Sequence, residues 1–328
     1  MSAADAVEET VRRGDLDELL RLIEQLCDAR QWDSLTELRA SCERAHETGR
    51  QLWPAAAHAS YRLALEAPAE LAAAVLVDDA LPFALGPLPE VAAQHHSWAE
   101  LEPHLSPGVA AVLTAHERVL RGEDLDGIEL PGPAALELPL RLAPWEPQYS
   151  LAEYHADHAD FPAPPLPSTQ PAALPSAPAQ ATRDEACAAL VDLVRTWTTR
   201  SDGRADAVVV GGDALSAIAA LGPTAVRVGE IAPVHAMALM AWAGASGGAH
   251  GPRPGAASGR FGAWWAMAAI TDLLDPWPPE PDALGAALDQ LRCTTWDAAE
   301  PATGWRLQLA IEAPDKGRAW AVAAIDAA

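Results

Sequence analysis

The residues most able to do chemistry lie in and beside a glycine-rich segment, Gly244-Ala-Ser-Gly-Gly-Ala-His-Gly-Pro-Arg-Pro-Gly-Ala-Ala-Ser-Gly259. Between two strongly apolar stretches it places His250, Arg253 and Arg260, local positive charge in an acidic chain. Exposed amides and guanidinium groups of this kind can hold a phosphate or a partner's carboxylate. A loop of more than about 12 residues without structure is more often functional or mobile than a neutral connector. Trp264 and Trp265 follow directly, with Phe261 and Trp242 close by, so aromatic surface could wall a ligand or simply pack as core. The ligand-binding set expected from the sequence is therefore His250, Arg253, Arg260, Trp264 and Trp265, and the alternative is a mobile loop over an aromatic core.

Other constellations carry less. Tyr154-His-Ala-Asp-His-Ala-Asp160 holds zinc-type ligands, but the i, i+3 histidine spacing asks for a helix, which the proline-rich surroundings disfavour. No metal site is assigned there. Ala207-Val-Val-Val-Gly-Gly-Asp-Ala-Leu215 resembles a strand entering a phosphate-binding turn, yet the G-x-G-x-x-G spacing is missing, so an ordinary βαβ turn or a hairpin with a helical insertion is expected. No nucleophile elbow is expected, and the carboxylate pairs Asp78-Asp79 and Glu123-Asp124 are what acidic composition supplies. Catalytic residues are unassigned, no cofactor is expected, and the balance leans away from an enzyme. Cys27, Cys42, Cys187 and Cys293 lack any CxxC or Cys/His spacing and are read as buried thiols.

The elements that would position these residues follow from periodicity. Leu16, Leu19, Leu20, Ile23, Leu26 and Cys27 form one helical stripe behind a cap at Asp15; Trp32, Leu35, Leu38, Cys42 and Ala45 form another, entered through Ser34. A third, Leu52 to Leu63, should stop near Pro68, with further helices at 69–79, 89–102 and 107–121. This makes residues 1–127 an antiparallel helical array, with an α-solenoid as one form it could take although no fixed repeat is visible. Dense proline marks 128–181 as an irregular linker. Residues 182–328 read as an α+β domain. Its helix starts at a capping box Thr182-Arg-Asp-Glu185, strands run near 207–210 and 225–231, apolar helices near 233–243 and 261–274, and a small β-meander covers 292–298, 304–313 and 318–326. The fold class is α+β multidomain.

A formal net charge of −24 repels nucleic acid and anionic lipid, since binding to either depends on Lys and Arg neutralising negative charge. No stretch has the ~18 apolar residues of a membrane span, and the N-terminus lacks signal-peptide features, so a cytoplasmic protein is expected.

Gly49-Arg-Gln-Leu-Trp-Pro54 with Tyr61-Arg-Leu-Ala-Leu-Glu-Ala-Pro68, and Ala241-Trp-Ala-Gly-Ala-Ser-Gly-Gly-Ala-His-Gly251 with Gly259-Arg-Phe-Gly-Ala-Trp-Trp265, resemble segments of a family of uncharacterised actinobacterial proteins, a domain of unknown function. The resemblance implies that the glycine-rich loop is a family feature and brings no activity, cofactor or catalytic residue. The leading expectation is a protein-interaction or scaffold protein whose acidic helical surface meets another protein. The alternative is an enzyme or sensor for a small anionic ligand at the 244–260 loop.

Overall fold

Apolar residues at three- and four-residue spacing, interrupted by proline and short polar connectors, make the N-terminal part helical. The computed structural model describes residues 3–47, 49–76, 85–133, 135–176, 179–298 and 303–327. Its contacts divide the chain into two units: Met1–Ala135 with Ala152–Asp160, and Leu136–Leu151 with Phe161–Ala328.

The first unit contains α1 (Ala3–Arg13), α2 (Leu16–Asp28), α3 (Trp32–Glu47), α4 (Trp53–Glu66), α5 (Ala69–Ala74), α6 (Leu88–His95), α7 (Trp98–Leu101) and α8 (Val109–Leu120), then a hairpin of β1 (Glu153–Tyr154) and β2 (Ala159–Asp160). Asp15 caps α2 as expected, its carboxylate accepting the Glu18 amide at 3.1 Å. Helix α1 was not foreseen; its Val7 and Val11 are buried, and it packs on α3. Helix α3 begins at Trp32, ahead of the expected Ser34 cap. Helix α4 is buried almost all round because Ala55, Ala56, Ala57, Ala59 and Ala64 let neighbours approach closely. The stretch expected as one helix at 89–102 is two, with Ser97 starting α7 in a capping box with Glu100. Residues 77–79 of the expected 69–79 helix, and the Asp78-Asp79 pair, lie outside the described residues.

The second unit contains β3 (Gln170–Ala172), α9 (Glu185–Asp192), α10 (Arg195–Arg200), β4 (Arg204–Gly211), α11 (Ala214–Ala220), β5 (Val226–Ile231), α12 (Pro233–Ala245), α13 (Ala256–Thr271), α14 (Pro281–Leu288), β6 (Arg292–Asp297), β7 (Trp305–Ala313) and β8 (Arg318–Asp326). Six strands form one antiparallel sheet in the order β3-β5-β6-β7-β8-β4. The meander β6-β7-β8 is present as expected, and α+β describes the chain. Strands β4 and β5 run in the same direction but are separated by β8, β7 and β6, so the Gly211-Gly212 turn joins strands that are not neighbours. Asp213 caps α11, its carboxylate accepting the Ser216 amide at 2.8 Å.

Register sorts the sheet's two faces. Val210, Ala319, Ala321 and Ala310 lie under α11 with Trp296 and Val226. Alternate residues, among them Trp320, Val322, Leu309 and Ile311, turn the other way, toward the side on which α9, α12 and α13 pack. The expected cap Thr182 instead bridges Val209, and Asp184 caps α9, also accepting from Trp320 Nε1 at 3.1 Å and Arg318 at 2.6 Å.

The linker expected at 128–181 is not one segment. Tyr154 is drawn into the first unit and Trp145, Glu146 and Tyr149 into the second, because each finds buried polar and aromatic partners there. Three short strands, β1, β2 and β3, also lie within 128–181, so dense proline did not make the segment unpacked.

All four cysteines are buried thiols, as expected. Burial pushes Cys27, Cys187 and Cys293 up to about 12 and Cys42 up to about 11. An aromatic disulfide reagent at pH 8 should therefore label no thiol in the native protein and four after denaturation; rapid labelling of any native thiol would contradict this burial.

Candidate functional site

Helices α12 and α13 carry the residues singled out by the sequence, and they pack together through small residues. Gly244 lies against Gly259, whose ideal Cβ would collide with the Ala241 carbonyl and approach Ala245 Cβ to 2.9 Å. Both helices are longer than the sequence suggested, reaching Ala245 and starting at Ala256, so the connector shrinks to 246–255. That connector is pinned. The Ala249 amide donates to Asp326 Oδ2 at 2.7 Å, the Ser246 hydroxyl accepts from Trp197 Nε1 at 2.9 Å, and the Gly251 amide donates to the Gly247 carbonyl at 3.1 Å. Gly247 is glycine because a Cβ would strike the Gly251 carbonyl. The glycines thus serve close backbone approach as much as flexibility.

The five expected residues separate. Arg260 is enclosed: it and Glu146 have fully buried side chains, with nitrogen to oxygen 2.7 Å apart. Its Nε donates to Glu146 Oε2 at 2.8 Å, Nη1 to the Pro139 carbonyl at 3.0 Å, and Nη2 to Glu146 Oε1 at 2.7 Å and the Arg141 carbonyl at 3.0 Å. Trp264 is buried in the same cluster, its Nε1 donating to Glu146 Oε2 at 3.0 Å and its ring 5.3 Å from Trp145. The Tyr149 hydroxyl donates to Glu146 at 2.6 Å and the Ala143 amide at 2.9 Å. Burial alone would raise the Glu146 carboxyl, but Arg260, Tyr149 and Ala143 outweigh it and hold the group below its ordinary value. Burial and the Glu146 charge push Tyr149 well above the usual tyrosine range.

Trp265, one position along α13, faces elsewhere, since consecutive helical residues point about 100° apart. It stacks at 6.2 Å on Phe261 and meets Trp277 edge-on at 4.8 Å. Phe261 and Trp265 wall a cleft of about 460 Å³ whose other sides are Leu193, Thr196, Gly262 and Pro254, with Asp192 and Arg195 also lining it. Arg195 is paired with Asp192 at 2.7 Å. Arg253 lies 3.8 Å over the Phe161 ring, at one end of a ladder in which Phe161 stacks on Trp242 at 5.9 Å and Trp242 on Trp305 at 4.9 Å. His250 is exposed on the connector.

Glu146 and Tyr149 were missed because their segment read as linker; Trp145-Glu-Pro-Gln-Tyr149, two aromatics around a carboxylate amid prolines, was the available signal. Among the described residues one group, His155, His158 and Asp160 on the β1–β2 hairpin, could hold a metal ion, with ligand atoms all within 4.8 Å of one another. Here the helix thought necessary for the i, i+3 pair is replaced by a hairpin.

Among the described residues no helix is long and apolar enough to cross a membrane. No curated protein and no solved structure matches the chain. Residues 17–328 match the model of a family of unknown function (DUF6183), and with nearly its whole length covered the chain belongs to that family.

Proposed function

We propose that the chain is a protein-interaction module and that the cleft beside α13 receives an apolar side chain from a basic partner segment. The observation that carries this reading is the wall formed by Phe261 and Trp265: half-buried aromatics over a 460 Å³ recess are the kind of pocket that anchors an aromatic or aliphatic side chain. The net charge of −24 favours a Lys- or Arg-rich flank on the partner and disfavours nucleic acid or an anionic membrane. Four buried, unpaired thiols suit a reducing compartment, so the cytoplasm is the proposed setting.

The rival reading, an enzyme or sensor gripping an anion with the 244–260 loop, relied on Arg260. That guanidinium is already neutralised by Glu146 within the protein, leaving exposed His250 and Arg253 above Phe161 as the loop's remaining contributions.

Selection of a random peptide library on the intact protein tests the proposal. Peptides with an aromatic or large aliphatic anchor flanked by Lys or Arg should be enriched, their affinity should fall with added salt, and Trp265→Ala should weaken them at least tenfold, the loss of a modest anchor of about 1.4 kcal/mol. Enrichment of no such class, or binding indifferent to Trp265→Ala, would remove the basis for this site.

A further inference from the structure

We propose that the face of the β1–β2 hairpin binds one divalent transition metal of the zinc class, through His155 Nε2, His158 Nε2 and the Asp160 carboxylate. This is independent of the α13 cleft. In β1–β2, Glu153 pairs with Asp160 and Tyr154 with Ala159, and the His155 amide donates to the His158 carbonyl at 2.9 Å across Ala156-Asp157. Alternate residues of a strand share a face, and directly opposed residues stand about 4.5–5.5 Å apart at Cβ. Glu153, His155, His158 and Asp160 are therefore on one face, and Tyr154 is on the other.

These side-chain separations fit a metal better than a set of hydrogen bonds. His155 Nε2 is 3.5 Å from Asp160 Oδ2 and 3.9 Å from Glu153 Oε1, and His158 Nε2 is 3.8 Å from Asp160 Oδ2. Ligand atoms around tetrahedral zinc, at bonds of 2.0–2.1 Å, stand about 3.3 Å from one another. The two imidazoles are stacked with centroids 4.4 Å apart, and partly exposed side chains can close the remaining gap by small torsional changes. Asp157 supplies the outer contact: its Oδ1 lies 2.8 Å from His158 Nδ1, which places the proton on Nδ1 and the lone pair on Nε2, toward the site. A carboxylate orienting a metal-ligating histidine in this way is a recurring feature of zinc centres.

The hairpin is held in place without help from the ligands. Gln94 clamps Tyr154 from both sides, its Oε1 accepting the Tyr154 amide at 2.6 Å and its Nε2 donating to the Tyr154 carbonyl at 2.9 Å. The Tyr154 hydroxyl donates to Glu90 at 2.7 Å, and the Tyr61 hydroxyl donates to the His155 carbonyl. A face anchored by its backbone and opposite side is preorganised for the ion.

The test uses untagged full-length protein, stripped with chelator, titrated with Zn²⁺ by calorimetry and with Co²⁺ by visible absorption. The expected result is one ion per chain and a Co²⁺ spectrum of low coordination number. His155→Ala/His158→Ala should abolish both signals, Asp157→Ala should weaken binding about 10–100-fold, and His104→Ala should change neither. The metal-free double variant should melt with the wild type, because Gln94, Tyr154 and Tyr61 hold the hairpin; should it not fold, His158→Gln is the replacement. Zinc binding by the wild type no tighter than by the histidine variant would overturn the proposal, as would loss of the signals on His104→Ala.

Discussion

Arg260→Ala is expected to lower folding stability by about 3–5 kcal/mol, because it leaves the Glu146 carboxylate buried without its countercharge. The side chains of both partners are fully buried, and four hydrogen bonds from Arg260 also fasten the 139–146 strip through the Pro139 and Arg141 carbonyls. Urea unfolding should show a lower midpoint with an unchanged slope. The pH dependence follows from the direction of the Glu146 shift. Its carboxyl titrates lower in the folded state than in the unfolded chain, so the stabilisation is fully present above the ordinary glutamate range, about 4.3, and fades as pH falls through the folded value. The gap between wild type and Arg260→Ala should thus narrow in acid. A loss below 1 kcal/mol at neutral pH would show that Arg260 serves something other than this internal pair.

Gly259→Ala should also destabilise, by about 1–3 kcal/mol, against the usual sign for such a change. Within a helix, alanine for glycine ordinarily gains up to about 1 kcal/mol. At this position the new Cβ meets backbone, the Ala241 carbonyl, and Ala245 Cβ at 2.9 Å, so α12 and α13 must separate. Gly262→Ala provides the contrast on the same helix: there the Cβ meets no backbone, only Cδ2 at the end of the Leu193 side chain at 3.0 Å, and the change should be neutral or stabilising. Thermal melts of the two variants side by side decide the matter. Equal gains in both would mean that the helices are not in the close contact that Gly259 makes possible.

Much of the fold was legible because local rules acted where they usually do. The stripe Leu19, Ile23, Leu26 and Cys27 behind Asp15 and the meander β6-β7-β8 depend on neighbours in sequence, and both are present. The exceptions are instructive. The helix expected from Ser34 starts at Trp32, and Thr182 lost its expected capping role to Asp184, because Thr182 pairs with Val209 in the sheet. A tertiary contact there outcompeted a local one.

For the candidate sites the division is sharper. Composition and spacing alone determined a helical N-terminal part, an α+β C-terminal part, four buried thiols and an unusual glycine-rich connection flanked by tryptophans. Only the tertiary structure decided what those residues face: Arg260 and Trp264 turn toward Glu146, which lies 114 residues from Arg260 in the chain, while Trp265 lines a cleft. Likewise, the two histidines of Tyr154-His-Ala-Asp-His-Ala-Asp160 are brought together by strand pairing and not by a helix. The reason is physical: periodicity records which side of an element is apolar, but the partner that satisfies a buried charge or completes a ligand set is chosen by chain crossings that leave no local pattern.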